Sequence, residues 1–363
     1  MTLPEFRYMA WAKSQPRARI NLARSGIEPC PVSLLGLKAR DIELVHPPGY
    51  GWLPLRKAIA RRYRVSPDQV LPASGGASLA NWLAIAAAVN GDRRAEVIVE
   101  RPTYEQLLRI PELFGCKVRR LERKFEDGYA IDLDRFASLV NRRTRAAIVS
   151  SLHNPSGAQI DPPTLRRMAA MLRAVGGWLV VDEVYLECLF GRRAESTVHA
   201  GSNVVATNSL TKAYGLDGLR AGWILGSREI IRRAGRQHDL LCVNGVAPGE
   251  QLALQAFRRL PAVRARADRL LQEGLAVLVE YPAGERRLKA VIPPGGNVVF
   301  PRLPRGVDSE ALAAHLHHRY STLVVPGRFF ESSRHIRLSF GCGATRLTRG
   351  LRNLSRALDD LMR

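Results

Sequence analysis

Residues 208–223 read NSLTKAYGLDGLRAGW and continue an apolar, β-branched run, NVVATNS at 203–209. The lysine in this stretch, Lys212, is a selective departure, because of 55 cationic residues 48 are Arg and 7 are Lys. Ser209 and Thr211 precede it, and Arg220 follows eight residues later. Two hydroxyls and a guanidinium can hold a phosphate, while a lysine desolvated near other cations has a lowered pKa and can form a Schiff base. Open α/β sheets place their ligands outside the carboxyl ends of their strands. Whether the neighbouring sequence supplies such a sheet therefore decides both the fold and the place of the chemistry.

It does supply one. AEVIVE (95–100), AAIVSSL (146–152), GWLVVDE (177–183) and AGWILG (221–226) are short apolar runs of the kind expected for strands covered on both faces. Helix-like segments alternate with them between about Gly51 and Ser227. PLRKAIARRY (54–63) places Leu55, Ile59 and Tyr63 at helical spacing, SPDQV (66–70) turns into a short strand, and SLANWLAIAAAV (78–89) is a strongly apolar, buried helix entered through Gly75-Gly76. The fold class is α/β, a mostly parallel sheet between helices. Beyond Pro248 a long Leu/Ala/Arg helical stretch runs to about Glu280. A strand, a Gly295-Gly296 turn, a strand, a helix, a strand and a final helix from Thr345 follow, which implies a smaller α+β domain. The first 30 or so residues lack strong periodicity and read as an arm. The expected division is an arm at 1–45, a large domain at 46–250 and a small domain with its linking helix at 251–363.

Composition narrows the class. The chain has 363 residues with 46% hydrophobic and 24% charged side chains, enough for about two domains, which excludes disordered, collagen-like and disulfide-stapled proteins. Its 55 basic and 33 acidic residues give +22. The arginines are spread singly or in pairs (Arg61-Arg62, Arg93-Arg94, Arg142-Arg143, Arg166-Arg167, Arg192-Arg193), which favours a solvated surface over a nucleic-acid face. Five scattered cysteines, Cys30, Cys116, Cys188, Cys242 and Cys342, without a C-x-x-C pair or nearby His, read as reduced buried thiols with no metal site. The start, MTLPEFRYMAWAK, lacks the apolar region of a signal peptide, and the apolar stretch around Leu83 to Val89 is too short to span a bilayer. The expectation is a cytoplasmic protein with no membrane contact.

Two more polar groups stand at strand ends, HNPSG at 153–157 and VVDEVY at 180–185. Asp182 could hold a pyridinium nitrogen protonated. Taken singly, each residue has an ordinary alternative: Lys212 as a surface lysine, Asp182 as a helix cap, Asn154 as the turn residue before Pro155.

Taken together, N-P-x-G, D-E-x-Y and S-x-[ST]-K with an Arg eight residues on resemble the fold-type I pyridoxal-phosphate enzymes, specifically the class I/II aminotransferases. SPDQVLPASGGAS (66–78), PPGYGWLPLRKAI (47–59), RPTYEQL (101–107) and RHIRLSFG (334–341) extend the resemblance over nearly the whole chain. It implies a pyridoxal 5'-phosphate cofactor bound to Lys212 as a Schiff base. Asp182 would pair with the ring nitrogen, Asn154 and Tyr185 would bond the ring 3-oxygen, and Tyr104 would stack on the ring. The phosphate would sit on Gly76, Ala77 and Ser78 at the helix start, with Ser209, Thr211 and Arg220 completing the cup. Tyr50 would reach the phosphate of a neighbouring subunit, implying a homodimer with shared sites. Arg337, in an apolar strand, would grip the substrate α-carboxylate, and Gly26 would line the substrate pocket. Ser156 stands where many members have Thr, SGGAS is a loose form of the phosphate segment, and Glu28-Pro29 replaces the usual acidic-proline turn. Arg232, Arg233 and Arg236 sit on a polar helix, so a second arginine for a distal carboxylate is not apparent. The implied reaction moves an amino group between an amino acid and a 2-oxo acid. The alternative is a lyase, decarboxylase or cyclase of the same fold. A DNA-binding regulator would need a further domain that the roughly 50 residues ahead of the first large-domain helix cannot hold.

Overall fold

The computed structural model describes residues 5–37, 42–45, 47, 49–189 and 195–363. The Arg192-Arg193 pair and Pro48 of the aromatic-glycine stretch lie outside the described residues. The arm is more ordered than its sequence suggests, since it carries α1 (Arg7–Ser14) and β1 (Ile20–Asn21). Two turns of helix are marginal alone. The buried Glu105 carboxylate supplies what the local sequence lacks by accepting from the Arg7 amide at 3.3 Å and the Tyr8 amide at 2.7 Å.

The alternating region follows the expected order: α2 (Leu53–Tyr63), β2 (Val70–Ala73), α3 (Ala77–Val89), β3 (Glu96–Arg101), α4 (Glu105–Leu113), β4 (Lys117–Glu122), α5 (Leu133–Leu139), β5 (Thr144–Ser150), α6 (Pro162–Arg173), β6 (Trp178–Asp182), β7 (Val204–Ser209) and β8 (Gly222–Leu225). The strands form one sheet in the order β2-β8-β7-β6-β5-β3-β4. Five of them, β4, β3, β5, β6 and β7, run parallel, while β8 is antiparallel to both β7 and β2. On one face α3 packs Leu83, Ala84 and Ala87 against Val97, Ile148, Val180 and Val205. On the other, Phe136 of α5 with Leu165, Met168 and Leu172 of α6 meets Ile98, Val149 and Val181. Strand β4 escaped the sequence reading because KVRRLE lies at the sheet edge, where arginines can stay partly exposed.

The rest of the chain departs from expectation in two places. The long helical stretch is two helices, α8 (Ala247–Arg258) and α9 (Leu260–Gly284), preceded by α7 (Arg228–Leu241). The break falls at Arg259 because Pro261 has no amide hydrogen to continue α8 and is accommodated only in the first turn of a new helix. The strand expected ahead of Gly295-Gly296 is reduced to one bridge, Lys289 with Arg302. Then follow β9 (Val298–Val299), α10 (Ser309–Tyr320), β10 (Thr322–Leu323), β11 (Val325–Pro326), β12 (Ile336–Ser339) and α11 (Ala344–Leu361). Strands β11, β12 and β9 form an antiparallel sheet, and β1 of the arm pairs in parallel with β10. Four cysteines are buried as expected, whereas Cys242, after α7, is half-buried. Among the described residues no helix is long and apolar enough to cross a membrane, and no group of three or more His, Cys, Asp or Glu could hold a metal ion.

Candidate active site

The carboxyl ends of β5, β6 and β7 open into one cavity of about 410 Å³, lined among others by Ser78, Tyr104, Asn154, Asp182, Tyr185, Thr211, Lys212, Arg220 and Arg337. A larger depression of about 980 Å³ lies at the opposite ends of the strands. It holds none of the expected site residues, and three of its four arginines, Arg145, Arg228 and Arg233, are already paired with Asp92, Asp68 and Glu229.

Lys212 follows β7 on a loop pressed against the arm. Its Nζ donates to Ser25 Oγ at 2.5 Å. Burial, reinforced by the nearby charges of Arg337 and Arg220, lowers its pKa to about 8. Gly26 is pressed on the same loop: a Cβ there would stand 3.2 Å from the Thr211 carbonyl oxygen and 3.5 Å from Lys212 Cα. Ser25 lines the cavity directly, with Gly26 packed behind it.

Asp182 ends β6 and is 3% exposed. Burial pushes its carboxyl up, opposed by the Val184 amide, by Asn81 and by the Lys212 charge. Val184 N donates to Oδ1 and Asn81 Nδ2 to Oδ2, both at 3.0 Å. Asn81 Oδ1 in turn accepts from the Thr207 hydroxyl, which fixes the amide so that its nitrogen faces the carboxylate. Asn154 Oδ1 accepts from Arg337 Nη1 at 3.1 Å, which leaves its amide hydrogens to offer a ligand. The Tyr185 hydroxyl is buried and has no hydrogen-bond partner among the described residues. Arg337, on β12 and 1% exposed, is held by Tyr8 Oη at 2.7 Å and the Ala23 carbonyl at 3.3 Å, with its guanidinium carbon 4.9 Å from the Phe330 ring centroid.

The phosphate end is built where β8 and α3 meet. Gly76 caps α3 with φ +70°, its amide donates to the Arg220 carbonyl at 2.7 Å, and Arg220 Nη2 donates to the Gly75 carbonyl at 2.6 Å. A Cβ on Gly222 would stand 2.4 Å from the Gly76 carbonyl carbon, so glycine is required for this approach. The Ser209 and Thr211 hydroxyls lie 2.6 Å apart. Helix-start amides, two hydroxyls and a guanidinium suit a phosphate. The unpartnered Tyr185 hydroxyl, the free Asn154 hydrogens, the buried Asp182 carboxyl and the Lys212 amine together match the donors and acceptors of pyridoxal phosphate, and the residues present fit that group.

Of the expected residues, Tyr50 is not brought to this cavity. It is half-exposed, donates to Asp239 at 2.9 Å and packs beside Gly235 of α7. Sequence reasoning missed Asn81, Tyr8 and Ser25. Asn81 had a visible signal, a lone amide inside an otherwise apolar helix. Tyr8 and Ser25 had none, since only the folding of the arm places them here.

The profile of the family described as "Aminotransferase class I and II" matches residues 38–354. The chain belongs to this family. It is a pyridoxal 5'-phosphate-dependent aminotransferase of fold type I. A Streptomyces vinaceus protein named capreomycidine synthase is 31% identical over 330 residues, covering 90% of this chain and 84% of its own. An arginine–pyruvate transaminase of Pseudomonas aeruginosa is 29% identical, covering 85% and 81%. Among solved structures, a pyridoxal-phosphate-dependent aminotransferase of Streptococcus suis superposes with TM-score 0.90 at 25% identity over 99% of both chains. A pyridoxal-phosphate-dependent cyclase does so with TM-score 0.88 at 28% identity over 99% and 98%.

Two outcomes follow for this aminotransferase site. Asn81→Ala removes a hydrogen bond to a buried carboxyl, and cofactor affinity, measured by absorbance titration of the apoprotein, falls about tenfold. Only the neutral amine can add to an aldehyde, so the rate at which the apoprotein captures pyridoxal phosphate rises with pH up to about 8, where Lys212 loses its proton, and levels above it. A stopped-flow pH series checks this, and a rise that continues to the pKa of ordinary lysine would refute the burial argument.

Proposed function

We propose that Lys212 carries the cofactor and moves the proton in transfer of an amino group from an amino acid to a 2-oxo acid. The observation that carries this reading is one cavity holding a lysine with a pKa lowered to about 8, a buried carboxyl and a buried guanidinium. Bound pyridoxal phosphate supplies a conjugated ring that delocalises the electron pair left at the substrate Cα. Asp182 keeps the ring nitrogen protonated, because a cation brought to this buried carboxyl favours its ionised form. Asn154 and Tyr185 donate to the ring 3-oxygen, and Tyr104 covers a ring face. Gly76, Ala77, Ser78, Ser209, Thr211 and Arg220 hold the phosphate.

Arg337 grips the α-carboxylate. Tyr8, Ala23 and Asn154 fix its guanidinium plane, which orients the bond to be broken. Lys212, with its pKa lowered to about 8, has a substantial neutral fraction at that pH and takes the Cα proton as a general base, with Ser25 holding its Nζ in place. Gly26 keeps the arm close enough for this contact.

We also infer a homodimer in which Tyr50 serves the neighbouring site. Its support is a set of exposed apolar side chains in the segments flanking Tyr50 and in and just after α7, against which Tyr50 packs: Leu44, Val45, Leu53, Leu240, Val243 and Val246. In the same reading the arm (1–45), the large unit (46–250) and the small unit (251–363) are the working divisions, with α8 running across the last boundary. A cyclase or lyase outcome is the second reading, favoured by the relatives named capreomycidine synthase and pyridoxal-phosphate-dependent cyclase.

The protein reconstituted with pyridoxal phosphate should show a visible band that bleaches with an amino acid and returns with a 2-oxo acid. L-Arginine with pyruvate belongs in the first panel, since one relative bears that name. Bleaching with 2-oxo acid as product supports transamination, whereas a cyclised or eliminated product would replace it with the second reading. Light scattering should give about twice 40.2 kDa, and a monomer that turns over would overturn the shared site.

A further inference from the structure

Once the cofactor and the α-carboxylate are provided for, two ionisable groups on the cavity wall remain, Arg24 and Asp217. They pair with each other, Nη2 to Oδ2 at 3.1 Å, with side chains 36% and 56% exposed. The segments that carry them are stitched together. Ile27 N donates to the Lys212 carbonyl at 3.1 Å and Cys30 N to the Gly215 carbonyl at 2.9 Å. Gly215, at φ +66°, lies so close that a Cβ would stand 2.3 Å from the Glu28 carbonyl oxygen. Asp217 opens a single 3-10 turn closed by the Arg220 amide on its own carbonyl at 3.3 Å. Its carboxylate therefore stands on the same rigid loop as the reacting amine, and its charge is felt there.

We propose that Asp217 receives the cationic end of the amino donor's side chain, the substrate replacing Arg24 as its partner. The inference rests on the aminotransferase reading and adds the substrate class. A half-exposed ion pair at a cavity mouth holds its partners weakly and is readily exchanged. The exchange is asymmetric. Arg24 has a long side chain that can swing into solvent and remain hydrated, so a cationic substrate can displace it without leaving two like charges together. Asp217 is short and fixed on its turn, so an anionic substrate end drawn to Arg24 would stay beside a carboxylate that cannot withdraw. The rest of the wall suits the stem of such a side chain. Met9, Trp11 and Ala12 of α1 and Leu323 line the same cavity, apolar surface for methylenes and an aromatic face for a cation.

The test is calorimetric titration of the holoenzyme, without 2-oxo acid, by L-arginine, L-leucine and L-glutamate. The native protein should bind L-arginine at least tenfold more tightly than the other two. Asp217→Asn should lower the arginine-to-leucine ratio about tenfold or more, Asp217→Glu should retain most of it, and Arg24→Ala should not lower it. A preference for L-glutamate that Arg24→Ala removes would overturn the proposal in favour of an anionic end. Equal weakening of all three ligands by Asp217→Asn would overturn it by reducing Asp217 to a loop-shaping residue. Product is assayed separately, so a failure of transamination appears as missing 2-oxo acid, and a failure of this inference as an unchanged binding ratio.

Discussion

An amine gives up its proton well below the ordinary lysine range only where desolvation and nearby cations disfavour its charge, and that environment of Lys212 is the condition on which the rest of the site depends. The sheet alone does not meet it. Strands β5, β6 and β7 bring the polar groups to one edge, but the wall over Lys212 comes from the arm, through Ser25, Ala23 and α1. Glu105, next in sequence to Tyr104, pins the first amides of α1, and Tyr8 of α1 bonds Arg337. One chain of contacts thus runs from the large sheet through the arm to β12, so that the Lys212 amine and the Arg337 guanidinium share a scaffold.

Behind the site stand ion pairs removed from water. Glu100 and Arg123 pair at 2.7 Å with both side chains 0% exposed, and Glu100 Oε1 also accepts from the Ser150 amide and hydroxyl at 2.7 and 2.5 Å. The Ser150 hydroxyl accepts from the Asn154 amide at 3.0 Å, so this pair holds the turn that presents Asn154. Glu187 gathers Arg62, Arg264, Tyr63 and Tyr214, and Tyr214 lies two residues beyond Lys212. Removing one partner of such a buried pair costs about 3–5 kcal/mol, while the intact pair adds little net stability. Their value here is geometric, since each fixes a loop that carries a site residue. Arg123 belongs to the interior, and Arg62 and Arg264 are half-buried.

Much of this was legible in the sequence because parallel strands buried on both faces leave continuous apolar runs, and the polar residues that end them are conspicuous. Lys212, Asp182, Asn154 and Tyr185 were found in that way, and Arg337 from its apolar setting. Strand β4 was illegible because an edge strand tolerates Arg119 and Arg120, and β10 and β11 because segments of two residues carry no period. Helix α1 is stabilised by a carboxylate nearly a hundred residues away, which no local pattern records. The same holds for Ser25, 187 residues from Lys212, and for Tyr8, 329 residues from Arg337.

That last separation bears on the order in which the molecule can be made. The arm leaves the ribosome before the segments it joins, since β1 pairs with Thr322-Leu323, and Leu22 exchanges backbone hydrogen bonds with Leu323 and Ser339. Segments this far apart in sequence make late contacts, because loop closure must come before they contribute. The seven-stranded sheet is finished at Leu225, so it can form during synthesis with its polar edge uncovered. Residues translated ahead of the sheet are thus among the last to find their place, and until they do the nascent protein has the polar strand-end groups but lacks the arm's side of the cavity wall.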